Sequence, residues 1–171
     1  MTIAKQGIVA TTQMLASQAG AQILARGGSA VDAAIAANAV LGVVEPMMNG
    51  IGGDCFVIYW DAKTGKLTGL NASGPAPRAL SPEHLAAKGV KTMPRNGIDT
   101  ATVPGAVDGW AKMHARFGKL PWKDLFQAAI AYAENGFPVA EMNHEPWAAS
   151  ENLLKQYPDS DDECRQYAYK Q

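Results

Sequence analysis

A chain of 171 residues, 47% of them hydrophobic, is long enough to bury one ordinary core. Its 16 acidic and 15 basic side chains leave a net charge of -1, which gives no long-range pull toward nucleic acid or an anionic membrane, so neither is expected as a partner. The longest apolar run, residues 30–44, is broken by Asp32 and Asn38 and falls short of the roughly 20 residues that cross a bilayer.

The opening stretch, MTIAKQGIVATT, has one lysine but neither the apolar segment nor the cleavage site of a secretory signal, and a cytoplasmic location is expected. Within it, Gly7 to Thr11 reads as a short strand. Thr12 is expected to cap a helix over MLASQAGAQILAR, which the Gly27–Gly28 pair stops by a left-handed turn. Ser29 with Asp32 three residues on has the spacing of a capping box, so Asp32 reads as a cap rather than a catalyst. The helix it starts, Ala30 to Val44, is almost wholly Ala, Ile, Val and Leu and is expected at the centre of the core.

Gly50, Gly52 and Gly53 are expected either to take positive φ or to lie against a neighbour. The run Phe56–Val57–Ile58–Tyr59–Trp60 then leaves as a strand. A turn around Gly65 returns the chain through LTGLN, making an antiparallel hairpin. Ser81–Pro82–Glu83 supplies a cap, a first-turn proline and a first-turn acid to the short helix HLAAKG. Residues 90–102 lack periodicity and read as an excursion toward a surface or a mouth. Val103–Pro104–Gly105 opens a helix over AVDGWAKMHARF, ended by Gly118; Leu120–Pro121–Trp122 opens another over KDLFQAAIAYAEN, ended by Gly136. No repeat or linker divides residues 1–158, read as one domain or part of one, and 159–171 form an irregular polar tail.

Chemistry is sparse. The glycines of GIGGDC lead into a strand, whereas a phosphate-cradling loop leads into a helix, so a nucleotide site is not expected. His84, His114 and His144 lack ligand spacing, and Cys55 and Cys164 are too few and too far apart for a metal cluster or an expected disulfide. Asp159, Asp161 and Glu163 alternate like a calcium loop, yet Cys164 stands where such a loop needs glycine. Thr12 is not chain-terminal, so its own α-amine is no base for it. Ser73 follows a strand, but no His or Lys nearby in sequence marks a base. No catalytic residue is assigned within the chain.

Four runs, ILARGGSAVDAAIAANAVLGVVEP, NGIGGDCFVIYWDAKTGKL, TVPGAVDGWAKMHARFGKLPW and AYAENGFPV, occur in one order and together resemble the N-terminal, large-subunit part of gamma-glutamyltransferase-family proteins. The resemblance runs from Gly7 to about Val139. It implies an α+β fold: part of an N-terminal nucleophile hydrolase αββα sandwich, incomplete without a small subunit. It also implies a precursor that cuts itself so that the small subunit begins with the nucleophilic Thr, in a segment beyond this chain, and neither metal nor organic cofactor. The partners implied are that small subunit and a small-molecule amide or gamma-glutamyl substrate.

In the family pattern Arg-Glu-x-Ala-Pro, the Arg holds the substrate's α-carboxylate. Setting Ala76–Pro77 on that Ala-Pro places Ser73 at the Arg, with Arg78 five residues along as a possible substitute. The substrate-binding candidates are therefore Ser73 and Arg78. A serine hydroxyl offers one neutral donor where a guanidinium offers two charge-assisted ones, so weaker glutamyl selectivity is expected, nearer to the amidase or acylase branches such as oxamate amidohydrolase. The alternative reading is a truncated, non-catalytic relic, or a large subunit that only assembles with a separately encoded partner.

Overall fold

The structure is a computed structural model that describes residues 3–5 and 7–156; the polar tail with Asp159, Asp161, Glu163 and Cys164 lies outside the described residues. The chain divides into two compact units, one of Met1–Gly50 with Phe117–Gln171 and the other of Ile51–Arg116. Among the described residues no helix is long and apolar enough to cross a membrane.

The first unit is helical: α1 Met14–Ala25, α2 Ala30–Val44, α5 Gln127–Asn135 and α6 Glu141–Leu154. Gly27, at φ 88°, ends α1. The N–H of Gly28 reaches the carbonyl of Ile23 and that of Gly27 reaches Leu24, the paired bonds of a Schellman stop. Helix α2 is buried along most of its length, with Val40 and Val44 fully inaccessible, because its Ala-rich sequence lets α1 and α5 approach closely. The capping box forms as expected: Asp32 N–H donates to Ser29 Oγ at 3.1 Å and Ser29 N–H to Asp32 Oδ2 at 2.8 Å. Asp32 does more than cap. Its Oδ2 also accepts from the backbone N–H groups of Lys119 at 3.0 Å and Leu120 at 3.2 Å, fixing the loop before α5 to the start of α2.

Three expectations in this unit are corrected. The cap of α1 is Gln13, whose Oε1 accepts from Leu15 N–H at 2.6 Å and Ala16 N–H at 3.3 Å; Thr12 donates instead to buried Glu45, at the end of α2. Residues 7–11 form no strand, and Val9 lies against α1, where a Cβ on Gly20 would sit 2.8 Å from Val9 Cγ1. An extended segment needs a neighbouring strand to complete its hydrogen bonds, and none pairs with it among the described residues. Lastly, the stretch read as one helix over 123–135 begins as a 3-10 turn, Trp122–Phe126, before α5. Helix α6 has no counterpart in the sequence reading. Phe137 links it to α5, making an edge contact with Tyr132 and stacking on Trp147, each at 6.5 Å between ring centres.

The second unit is a hairpin with two helices: β1 Cys55–Asp61, β2 Lys66–Ala72, α3 Pro82–Ala87 and α4 Ala106–Phe117. The strands pair antiparallel, with Cys55 opposite Ala72 and Asp61 opposite Lys66. Gly65, at φ 64°, makes the turn, held by Asp61, which accepts from Lys63 N–H and the Thr64 hydroxyl. One face, Cys55, Val57, Tyr59, Leu70 and Ala72, turns inward; Gly109 of α4 lies so close that a Cβ there would sit 2.7 Å from Ala72 Cβ. The opposite face leaves Phe56, Ile58, Trp60 and Leu67 between 58% and 84% exposed. Residues 90–102 are irregular apart from a 3-10 turn at Ile98–Thr100, and Asp99 there is gripped by Lys88 Nζ at 2.8 Å and by His84 Nε2 at 3.4 Å. The Lys88 hydrogen bond holds the Asp99 carboxyl below its ordinary pKa.

The glycine expectation also needs correction. Gly50, Gly52 and Gly53 are not among the residues with positive φ, and a Cβ at Gly50 or Gly52 would meet nothing within 4 Å. What this turn contributes is the carbonyl of Gly53, which accepts from Gly105 N–H at 3.2 Å and Ala106 N–H at 3.0 Å at the start of α4.

Candidate functional site

The end of β2 and the segment entering α4 run side by side because glycines remove the side chains that would separate them. Gly74 has φ 79°, and a Cβ on it would lie 1.8 Å from the carbonyl oxygen of Val103. A Cβ on Gly105 would lie 2.2 Å from the carbonyl oxygen of Ala72. Val103 N–H donates to the Pro75 carbonyl at 3.0 Å, and the Thr102 hydroxyl to the Ser73 carbonyl at 3.2 Å. Gly74→Ala should therefore destabilise this unit by about 2–4 kcal/mol, from left-handed backbone strain plus a backbone collision. Hydrogen exchange should show the loss first at Val103 N–H.

These two segments line an open pocket of about 550 Å³, bounded by Asn71–Pro75 on one side and by Val103–Gly105 with Asp108 on the other. Strand β2 runs on through Asn71 and Ala72, so Ser73 is the first residue after it. The Ser73 N–H donates to Asn71 Oδ1 at 3.0 Å, which fixes the local backbone, while its hydroxyl has no partner among the described residues. Ser73 thus presents a half-buried, neutral donor to the pocket. Arg78 is not brought to it. It stands exposed on the turn closed by Leu80 N–H to the Pro77 carbonyl at 2.9 Å, and it is not part of the lining.

Among the described residues the one ionisable side chain in the lining is Asp108, in the first turn of α4, paired with Lys112 one turn on at 2.6 Å. It is not among the candidates that residue spacing offers. The usable signal was the pair Gly105 and Gly109 on either side, since both are needed for close approach to β2. The three histidines stand on separate helices, α3, α4 and α6, and no cluster of three metal-ligating side chains occurs among the described residues.

A family model described as gamma-glutamyltranspeptidase matches residues 16–170. The chain belongs to the gamma-glutamyltranspeptidase family. It is 41% identical over 139 residues to the glutathione hydrolase-like YwrD proenzyme of Bacillus subtilis, covering 81% of this chain and 26% of that protein. Among solved structures it resembles the gamma-glutamyltranspeptidase of Helicobacter pylori, with TM-score 0.86, 29% identity, and coverage of 94% of this chain and 46% of that one. It also resembles cephalosporin acylase from Bacillus halodurans, with TM-score 0.81, 42% identity, and coverage of 91% and 30%. The mixed helices and strands described above are a part of the fold of these gamma-glutamyltranspeptidase-family structures. The chain spans about a quarter of the length of the glutathione hydrolase relatives it matches.

Proposed function

We propose that this chain is the N-terminal portion of an amide hydrolase or acyltransferase of the gamma-glutamyltranspeptidase family. Its pocket between β2 and α4 would hold the acyl group beside Ser73. The observation that carries the reading is the placing of Ser73, at the position matched to the family's carboxylate-binding Arg, in the wall of a pocket of about 550 Å³. The chemistry is acyl transfer: a Thr hydroxyl attacks the amide carbonyl, the α-amine of that Thr takes the proton and passes it to the amine that leaves as the amide C–N bond breaks, and water or an acceptor amine then displaces the Thr oxygen from the ester. That Thr would begin a small subunit supplied from outside these residues. Backbone donors for the developing oxyanion would come from the same partner.

The uncovered hairpin face supports a partner. Four large apolar side chains on one uncharged face, all more than half exposed, are a surface that water does not favour and that a second layer would bury. Without such a layer the polypeptide is expected to be inactive and poorly soluble. Expression of the complete reading frame followed by intact-mass measurement tests the proposal. Two chains, the second beginning with Thr and both present in an amide-hydrolysing sample, are expected. An uncut product that hydrolyses amides would overturn it.

A further inference from the structure

We propose that Asp108 sets the charge preference of the pocket, so that the group taken in beside Ser73 carries a cationic nitrogen, such as a primary ammonium, and not a carboxylate. The inference rests on reading this pocket as the acyl-group site and adds the class of substrate. Two features could decide the sign of charge there. The first is the N-terminus of α4, which by its dipole would favour an anion. Two of its leading N–H groups, those of Gly105 and Ala106, are already engaged by the Gly53 carbonyl. Asp108 stands in the same first turn and places its own negative charge against the dipole. The second feature is Asp108 itself, the only ionisable group in the lining among the described residues.

The cations that could reverse the outcome are placed elsewhere. Arg78 is exposed outside the lining. Lys112 touches Asp108 through Oδ2, one helical turn away from the pocket wall. Asp108 Oδ1 has no hydrogen bond among the described residues and is the atom available to a ligand ammonium. Both members of the Asp108–Lys112 pair are more than half exposed, at 60% and 64%. Such a pair holds loosely, and an incoming ammonium competes with Lys112 for the carboxylate.

The test is a titration of the complete 15N-labelled enzyme with three probes of one size: propylammonium, propionamide and propionate, read from the amide resonances of Ser73, Gly74, Gly105 and Asp108. Propylammonium should move these resonances at the lowest concentration and propionate at the highest. Asp108→Asn should weaken propylammonium by about two- to fivefold, the range of an exposed ion pair, while Asp108→Glu keeps it. Lys112→Met, which removes the competitor without touching the pocket wall, should strengthen it. Tighter binding of propionate, no response to any probe, or an unchanged propylammonium affinity in Asp108→Asn would each overturn the proposal. Because the titration reads binding without turnover, its failure leaves the hydrolase reading standing, and an inactive complete enzyme would leave the titration unaffected.

Discussion

Ser73→Arg in the complete enzyme should raise the preference for a γ-glutamyl anilide over the matched 4-aminobutyryl anilide, which lacks only the α-carboxylate, by roughly 30- to 1000-fold. The range corresponds to the ~2–4 kcal/mol that separates a bidentate guanidinium–carboxylate pair from one neutral hydroxyl donor. The backbone at Ser73 is already held, through Asn71 Oδ1 on its N–H and the Thr102 hydroxyl on its carbonyl, so a longer side chain there starts from a fixed position. Asp108 shares the pocket and would draw the new guanidinium to itself. The single variant should therefore fall in the lower part of the range, and Ser73→Arg with Asp108→Asn in the upper part. The same kcat/KM ratio measured on Arg78→Ala should be unchanged, because Arg78 lies outside the lining; a tenfold drop in glutamyl preference there would show that Arg78 swings in after all.

Asp32→Ala should lower the stability of the helical unit by about 3–5 kcal/mol, the cost of leaving buried donors unpaired. Asp32 is fully inaccessible, and one of its oxygens accepts from the N–H groups of Ser29, Lys119 and Leu120. Asp32→Asn, which keeps an acceptor but loses the charge, should cost less. Burial pushes the Asp32 carboxyl up, and the hydrogen bonds from Ser29, Lys119 and Leu120 more than offset this, leaving its pKa below the ordinary value of 3.8. A lowered folded-state value means that the stabilisation is present above pH 3.8 and is lost as pH falls through the folded value. Urea unfolding of the wild type and Asp32→Asn should therefore differ at neutral pH and converge in strong acid. A gap that stays constant across that range would contradict the assignment of the carboxylate as the charged acceptor.

Local signals were legible in the sequence because their partners are close along the chain. Ser29 and Asp32 are three residues apart, the Gly27–Gly28 stop needs only the last turn of α1, and Gly65 closes its hairpin across four residues from Asp61. Signals that depend on distant residues were misread or missed. Thr12 has the chemistry of a cap, but Glu45, 33 residues on, takes its hydroxyl and leaves the cap to Gln13. Residues 7–11 have strand composition, and composition cannot supply the strand they would pair with. Helix α6 carries Pro146 in its interior, a residue without the N–H that a helix interior uses, which weakens its local helix signal.

The site follows the same rule. Ser73 was found by its offset from Ala76–Pro77, a matter of counting residues. Asp108 is 35 positions further on and joins Ser73 only because Gly74 and Gly105 let two backbones approach, a contact that no spacing within either segment announces. The family was legible from four ordered motifs, and the match over residues 16–170 agrees with them.

The most direct test of the account is the ratio of kcat/KM for γ-glutamyl anilide to that for 4-aminobutyryl anilide, measured on the complete enzyme with Ser73 and Asp108 intact. With a neutral donor at Ser73 and a carboxylate at Asp108, the aminobutyryl compound should be cleaved at least as well as the glutamyl one. A glutamyl preference of about 30-fold or more, the lower bound for a guanidinium clamp, would contradict it. So would failure to cleave either amide.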